Sequence, residues 1–365
     1  MKFSNGCWLQ KERCECFSPA EVYFSKIEKD QVTICAPTSK ITQRGDTLGG
    51  INLTIVISAP YEEVLRVQTY HHMGVQKKAP SFEIAPAESG HLKAEDTEDK
   101  LVISSGTLRL EVQKENGALT FYRGEEKITA SGWRDLAYMK TDWKGFAYDK
   151  GPEDAYMREQ LSLSVGELIY GLGERFSAFV KNGQSVDIWN EDGGTASEIG
   201  YKCVPFYMTN NGYGILVDST DNVSFEVASE KVEYVGFSVP GERIKYYLFH
   251  GPSPKKIMNE YTALTGRPAL PPAWSFGLWL STSFTTNYDE ETTTSFIEGM
   301  EKRNIPLSVF HFDCFWMHEF HWCDFEWDKK CFPDIRATLK KYHDKGLHIC
   351  AWINPYIAQG TAFFK

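Results

Sequence analysis

Apolar side chains recur at every second residue from about residue 20 to 250 of this 365-residue chain, and from about residue 252 the period changes. That change admits few folds, because period two is the spacing of a half-buried strand and period 3.6 that of a helix face. Ile51, Leu53, Ile55 and Ile57 alternate with Asn52, Thr54 and Val56, which predicts a strand with one buried face. Leu108, Leu110 and Val112 alternate likewise, pass through Asn116-Gly117, a pair that tolerates positive φ in a tight turn, and return through Leu119 and Phe121. The pattern recurs around Asn211-Gly212 and again from Val223 to Val239. Many short strands with few helical periods predict a large antiparallel β-sandwich over residues 1–250.

Residues 251–272 read as a helix and a stiff linker. Ile257, Met258, Tyr261 and Leu264 fall at helical spacing, Gly266 stands at the C-cap, and Pro268, Pro271 and Pro272 follow. From 273 to 365, apolar runs at Trp274–Leu280, Leu307–Phe312 and Leu347–Ile353 alternate with two helical patterns, one capped by Asp289 and one by Asp334. Helices between buried strands predict a parallel sheet with right-handed crossovers, and in a (β/α)8 barrel the chemistry sits at the strand ends. Phe284 and Tyr288 follow the first run, Asp313, Cys314, Phe315 and Trp316 the second, and Trp352, Asn354 and Tyr356 the third. A carboxylate among indole and phenyl rings suits a neutral polyol: the acid accepts from hydroxyls while the rings cover the apolar sugar face. Phe310 and Phe312, inside the second run, are expected to be packing.

Charge narrows the partners. With 39 Lys+Arg against 49 Asp+Glu the net charge is -10, which argues against nucleic acid and anionic membrane and makes a neutral substrate the more natural one. The N-terminal stretch has no uninterrupted apolar segment of the signal-peptide kind, no run reaches transmembrane length, and nine cysteines fall in no disulfide framework. A cytoplasmic chain with reduced thiols is expected, its sequons at Asn52 and Asn222 idle, assembled as a homo-oligomer. Gly171-Leu172-Gly173 lacks the third glycine of a phosphate loop, Phe176 standing in its place. His318, His321, Cys323 and Cys331 have a spacing unlike zinc patterns, so no metal is expected there. Asp324, Glu326 and Asp328 read as solvated charges or clamps on neighbouring lysines.

Five strings, GELIYGLGERF (166–176), GQSVDIWNEDGGT (183–195), RPALPPAWSFGLWLSTSFTTNYDE (267–290), FHFDCFWM (310–317) and WCDFEWD (322–328), resemble glycoside hydrolase family 31, and look most like its bacterial α-xylosidase branch. The resemblance covers essentially the whole chain. It implies a mutarotase-like N-terminal β-sandwich followed by the first part of a (β/α)8 TIM barrel, hydrolysis of α-glycosidic bonds with retention, and no cofactor. Residue by residue, Asp192 is similar to the acid on a sandwich loop that enters the sugar site, Asp313 to the acid that binds hydroxyls of the non-reducing-end sugar, and Trp352 to a wall of that subsite. Phe284, Cys314, Phe315 and Trp322 match positions that crowd the space of a hexose C6 group. A bulky apolar wall there rejects CH2OH and admits a pentose, a discrimination of about one to three kcal/mol. The family's nucleophile and acid/base lie on later barrel strands. Leu270 to Lys365 is roughly a hundred residues, whereas a full barrel takes about 250, so both catalytic groups are expected beyond Lys365 and the chain alone is expected to be inactive. An α-glucosidase of the same family, or a non-catalytic carbohydrate-binding fragment, are the alternative readings.

Overall fold

The computed structural model describes residues 1–6, 9–74, 84–141, 155–191, 197–281 and 289–365, and it divides into two compact units, Met1–Arg267 and Pro268–Lys365. Among the described residues the first unit is built on antiparallel sheets of eight, six and five strands. The eight-stranded sheet has at its centre Arg243–His250, Val64–Tyr70, Asn52–Tyr61 and Gln31–Pro37. Period two is realised as predicted: Leu53, Ile55 and Ile57 are fully buried, and so are Leu108, Leu110, Val112, Leu119 and Phe121 across the hairpin at Gly117. These side chains share one apolar core with Phe225, Val235 and Phe237 of the six-stranded sheet, which makes the unit a β-sandwich.

One acid lies inside that core. Glu159 is fully buried, accepting from Ser131 Oγ at 2.5 Å and Tyr246 Oη at 3.2 Å, and burial raises its pKa to about 7. A carboxyl raised in the folded state holds its proton where the unfolded chain has lost it, so stability is full below the unfolded value near 4.5 and falls as pH rises towards 7. Gln at 159 keeps an acceptor for Ser131 and a donor for Tyr246 but does not ionise. Calorimetry of Glu159→Gln is therefore expected to match the wild type at pH 5 and to exceed it at pH 8, by up to on the order of 3 kcal/mol. A variant less stable at both pH values contradicts this reading.

The helix read in the connecting segment, α1 (Pro254–Thr265), packs on the sandwich itself: Ile257 and Leu264 are buried with Phe206 and Phe249, and Tyr261 stacks on Phe206 with ring centroids 4.0 Å apart. Ser253 caps its start, and Gly266, at φ 104°, ends it.

In the second unit three strands, Trp279–Leu280, Val309–Phe312 and His348–Ala351, lie parallel in that order. Between them run α2 (Glu290–Lys302) and α3 (Ile335–Asp344), whose first turns donate to Asp289 Oδ1 at 2.7 Å and Asp334 Oδ1 at 3.1 Å. Tyr342 Oη lies 2.9 Å from both Thr293 Oγ1 and Thr294 Oγ1, which ties the two helices together. The strand predicted over Trp274–Leu280 is mostly absent. Pro272 leads into a tight turn at Ala273–Phe276, where Ser275 N–H donates to Pro272 O and Gly277 N–H to Trp274 O, so these amides do not reach a neighbouring strand. Phe310 and Phe312 are fully buried packing, as predicted. Among the described residues no helix is long and apolar enough to cross a membrane.

Candidate functional site

The ends of the second and third barrel strands are bound to one another. Trp352 N–H donates to Phe312 O at 2.8 Å, which sets Trp352 beside the turn that begins at Asp313. Asp313 caps that turn, Cys314–Trp316, by accepting the Cys314 N–H at 2.7 Å on Oδ1, and Trp316 Nε1 reaches back to Trp352 O at 2.9 Å. Asp313 is half-buried, and a carboxylate carries about four lone-pair sites, so acceptor capacity remains for hydroxyl donors.

The excursion after this turn folds back. Met317 pairs with Trp327, Asp328 N–H donates to Trp316 O at 3.0 Å, and Phe315 meets Trp322 edge to face at 5.3 Å. Trp322 O accepts from Ala358 N–H at 3.0 Å, and the buried Cys323 thiol donates to Asn354 O at 3.1 Å, so the excursion is tied to the segment after the third strand. Five of the residues singled out in the sequence, Asp313, Cys314, Phe315, Trp322 and Trp352, thus stand on one connected framework. Asp192 and Phe284 lie outside the described residues. Burial, followed by the neighbouring Asp313 charge, raises the Cys314 thiol to about 11, which keeps it neutral and a poor nucleophile.

One sequence reading needs correction. Asp324 and Asp328 are not solvated lysine clamps: their side chains are about nine-tenths buried, and they accept from the backbone N–H groups of Glu326 and Lys330, each at 2.9 Å, and face His318. Of the two cysteines named beside the histidines, the Cys323 thiol donates to Asn354 O and Cys331 Sγ faces Asp328 at 3.9 Å. The reversals that produce this arrangement run through left-handed Phe320, Cys323 and Phe325, which no apolar period announces.

In the sandwich, the glycines of Gly171-Leu172-Gly173 serve the backbone rather than a phosphate. A Cβ on Gly173, at φ 89°, would lie 2.1 Å from Lys202 O, so only glycine allows the approach of those two segments. Arg175 then spans them. Its guanidinium donates to the carbonyls of Leu172, Asp187 and Glu198 and to Cys203 Sγ, while the Cys203 thiol donates to Trp189 O at 3.0 Å. Asp187 and Glu198, on either side of residues 192–196, are thus both held by this side chain, alongside the bonds from Glu191 N–H to Gly200 O and from Cys203 N–H to Asn190 Oδ1. Arg175 was quoted only as part of a string, and nothing in its spacing marked it as a link between Asp187 and Glu198.

Comparison with known proteins gives the same division. The Glycosyl hydrolase 31 N-terminal galactose mutarotase-like domain matches residues 54–226, and the Glycosyl hydrolases family 31 TIM-barrel domain matches residues 268–365. The chain is 46% identical over 365 residues to alpha-xylosidase XylQ of Lactiplantibacillus pentosus, covering all of this chain and 47% of that protein. It is 42% identical over 381 residues to an alpha-xylosidase of Emericella nidulans, covering all of this chain and 48% of the relative. The chain therefore spans about half the length of these curated relatives. Among solved structures, a GH31 dextranase of Flavobacterium johnsoniae complexed with glucose superposes with a TM-score of 0.73 at 22% identity, covering 94% of this chain and 39% of that one, a likeness of fold.

Proposed function

The chain belongs to glycosyl hydrolase family 31, and from that premise we propose that it forms the sandwich and the first part of the barrel of a cytoplasmic α-xylosidase. The whole protein releases α-linked xylose from the non-reducing end of xyloglucan-type oligosaccharides, with retention of configuration. The observation that carries this reading is the joined framework at the strand ends, in which Asp313 caps the turn of Cys314 and Phe315, Phe315 meets Trp322, and Trp352 is bonded to Phe312 and Trp316. In the reading, Asp313 accepts sugar hydroxyls, Trp352 walls the ring, and Cys314, Phe315 and Trp322 exclude a hexose C6 group. Asp192 and Phe284 complete the subsite on the strength of the motifs alone.

Retention needs two carboxyl groups about 5–5.5 Å apart, a nucleophile and an acid/base. Asp324 and Asp328 are committed to backbone amides and His318, and the resemblance to the family implies that the nucleophile and acid/base lie on later barrel strands, beyond Lys365 in this reading. A polypeptide extended to the length of the relatives is expected to hydrolyse p-nitrophenyl α-xyloside, with kcat/KM about 10 to 100 times that for the α-glucoside. Residues 1–365 alone are expected to turn over neither. Turnover by residues 1–365 that disappears in Asp324→Asn would overturn the assignment of the catalytic pair. Equal rates on xyloside and glucoside would instead make the protein an α-glucosidase.

A further inference from the structure

We propose that His318, His321 and Asp324 form a binding site for a first-row divalent transition metal ion such as Zn2+. His318 Nδ1 and His321 Nδ1 lie 3.4 Å and 4.0 Å from the same oxygen, Asp324 Oδ2. One donor atom from each of the three residues falls within 4.8 Å of the others. A tetrahedral ion with bonds of about 2.0–2.1 Å holds its donors roughly 3.3 Å apart, so the site closes by shifts of about 1 Å or less in two half-exposed imidazoles.

The backbone brings these residues together by successive turns. His321 N–H donates to His318 O at 3.1 Å and Asp324 N–H to His321 O at 3.2 Å, so every third residue returns to the same side. The outer groups suit a ligand set as well. Glu326 N–H occupies Asp324 Oδ1 at 2.9 Å and leaves Oδ2 turned to the histidines. Asp328 Oδ1, itself held by Lys330 N–H, stands 3.9 Å from His318 Nε2, the side on which a carboxylate orients a ligating imidazole.

Two imidazoles and one carboxylate favour Zn2+, Co2+, Ni2+ or Cu2+ over Mg2+ and Ca2+, which prefer all-oxygen shells. The side chains of His318 and His321 are 37% and 47% exposed, so an ion reaches them, while Asp324, at 9%, supplies a fixed anchor. An ion there clamps the turn that carries Trp322, the residue between His321 and Cys323. The site takes its ligands from this turn alone and does not depend on the proposed xylosidase activity.

The test is calorimetric titration of the full chain, stripped with chelator, with ZnCl2. One equivalent is expected to bind, with affinity reduced more than about tenfold in His321→Ala and in Asp324→Asn and unchanged in His91→Ala, a histidine elsewhere on the surface. No heat from the unmutated chain, equal affinity in His321→Ala, or equal binding of Mg2+ overturns the proposal. Co2+ absorption read on the unmutated chain removes any dependence on how the variants fold. Imidazole–cobalt bands that saturate at one equivalent support the site, and an unchanged aquo-ion spectrum refutes it.

Discussion

Replacing Asp313 by Ala is expected to lower kcat/KM for an aryl α-xyloside about a thousandfold in the full-length protein. Hydrogen bonds to a charged group are worth roughly 1.5–3 kcal/mol each, and a carboxylate that receives two sugar hydroxyls loses both when it is removed. Asp313 also caps its own turn through the Cys314 N–H, so part of any loss in the Ala variant could come from a displaced turn. Asp313→Asn separates the two effects. The amide oxygen still accepts from Cys314, whereas the charge is gone, and a loss of about tenfold to a hundredfold with an unchanged circular dichroism spectrum locates the effect in the sugar contact. The same variant removes the second-largest cause of the raised Cys314 pKa, so the thiol should titrate lower and react faster with a disulfide reagent at pH 8. If Asp313→Ala stays within fivefold of the wild type, the carboxylate is only a cap.

The largest stability effect is expected at Phe312. Its ring is fully buried and meets Phe310 at 5.0 Å, Trp327 at 5.2 Å and Phe332 at 5.6 Å edge to face, with Tyr342 stacked at 6.4 Å. Truncation to Ala removes the transfer free energy of the ring and leaves a void among four aromatic side chains that have little freedom to collapse, a cost of about 4 kcal/mol. Phe312→Leu keeps most of the volume and should cost less than about half as much. Urea denaturation of both variants decides it, since a loss below about 1 kcal/mol for the Ala variant means the cluster re-forms without the ring. Phe312 also lends its carbonyl to Trp352 N–H, so the Ala variant tests whether packing below the strand ends is needed to hold the residues above them.

How much of this was legible depends on the kind of signal. Alternation in Leu53, Ile55 and Ile57 and the turn glycine at Gly117 are local, and the sandwich followed from them. Asp289, Asp334 and Gly266 did what caps do because a cap acts on amides within one turn. The apolar stretch at Trp274 misled on both burial and pairing: Trp274, Phe276, Leu278 and Trp279 are exposed, and apolar side chains do not say where the amides between them donate. The Trp274 ring stacks on His348 at 3.8 Å while its backbone turns. The candidate site was found through whole motifs, since no period relates Asp313 to Trp322 or Trp352. The convergence of His318 and His321 on Asp324 was hidden for a different reason. It depends on left-handed residues at Phe320, Cys323 and Phe325, and those side chains give no hint of that conformation. Arg175 was illegible as a link because three of its partners are carbonyl groups, which every residue has.

The ties between the segments after the second and third strands bear on how such a site can be altered. Phe312 to Trp352, Trp316 to Trp352, Trp322 to Ala358 and Cys323 to Asn354 are joined by hydrogen bonds, two of them main chain to main chain and two from a side chain to a main-chain carbonyl. A segment transplanted alone from a hexose-cleaving homologue would arrive without its counterpart and leave donors and acceptors facing mismatched neighbours. On the proposed reading of the site, the unit to exchange when engineering substrate range is the pair, residues 313–332 with 352–361.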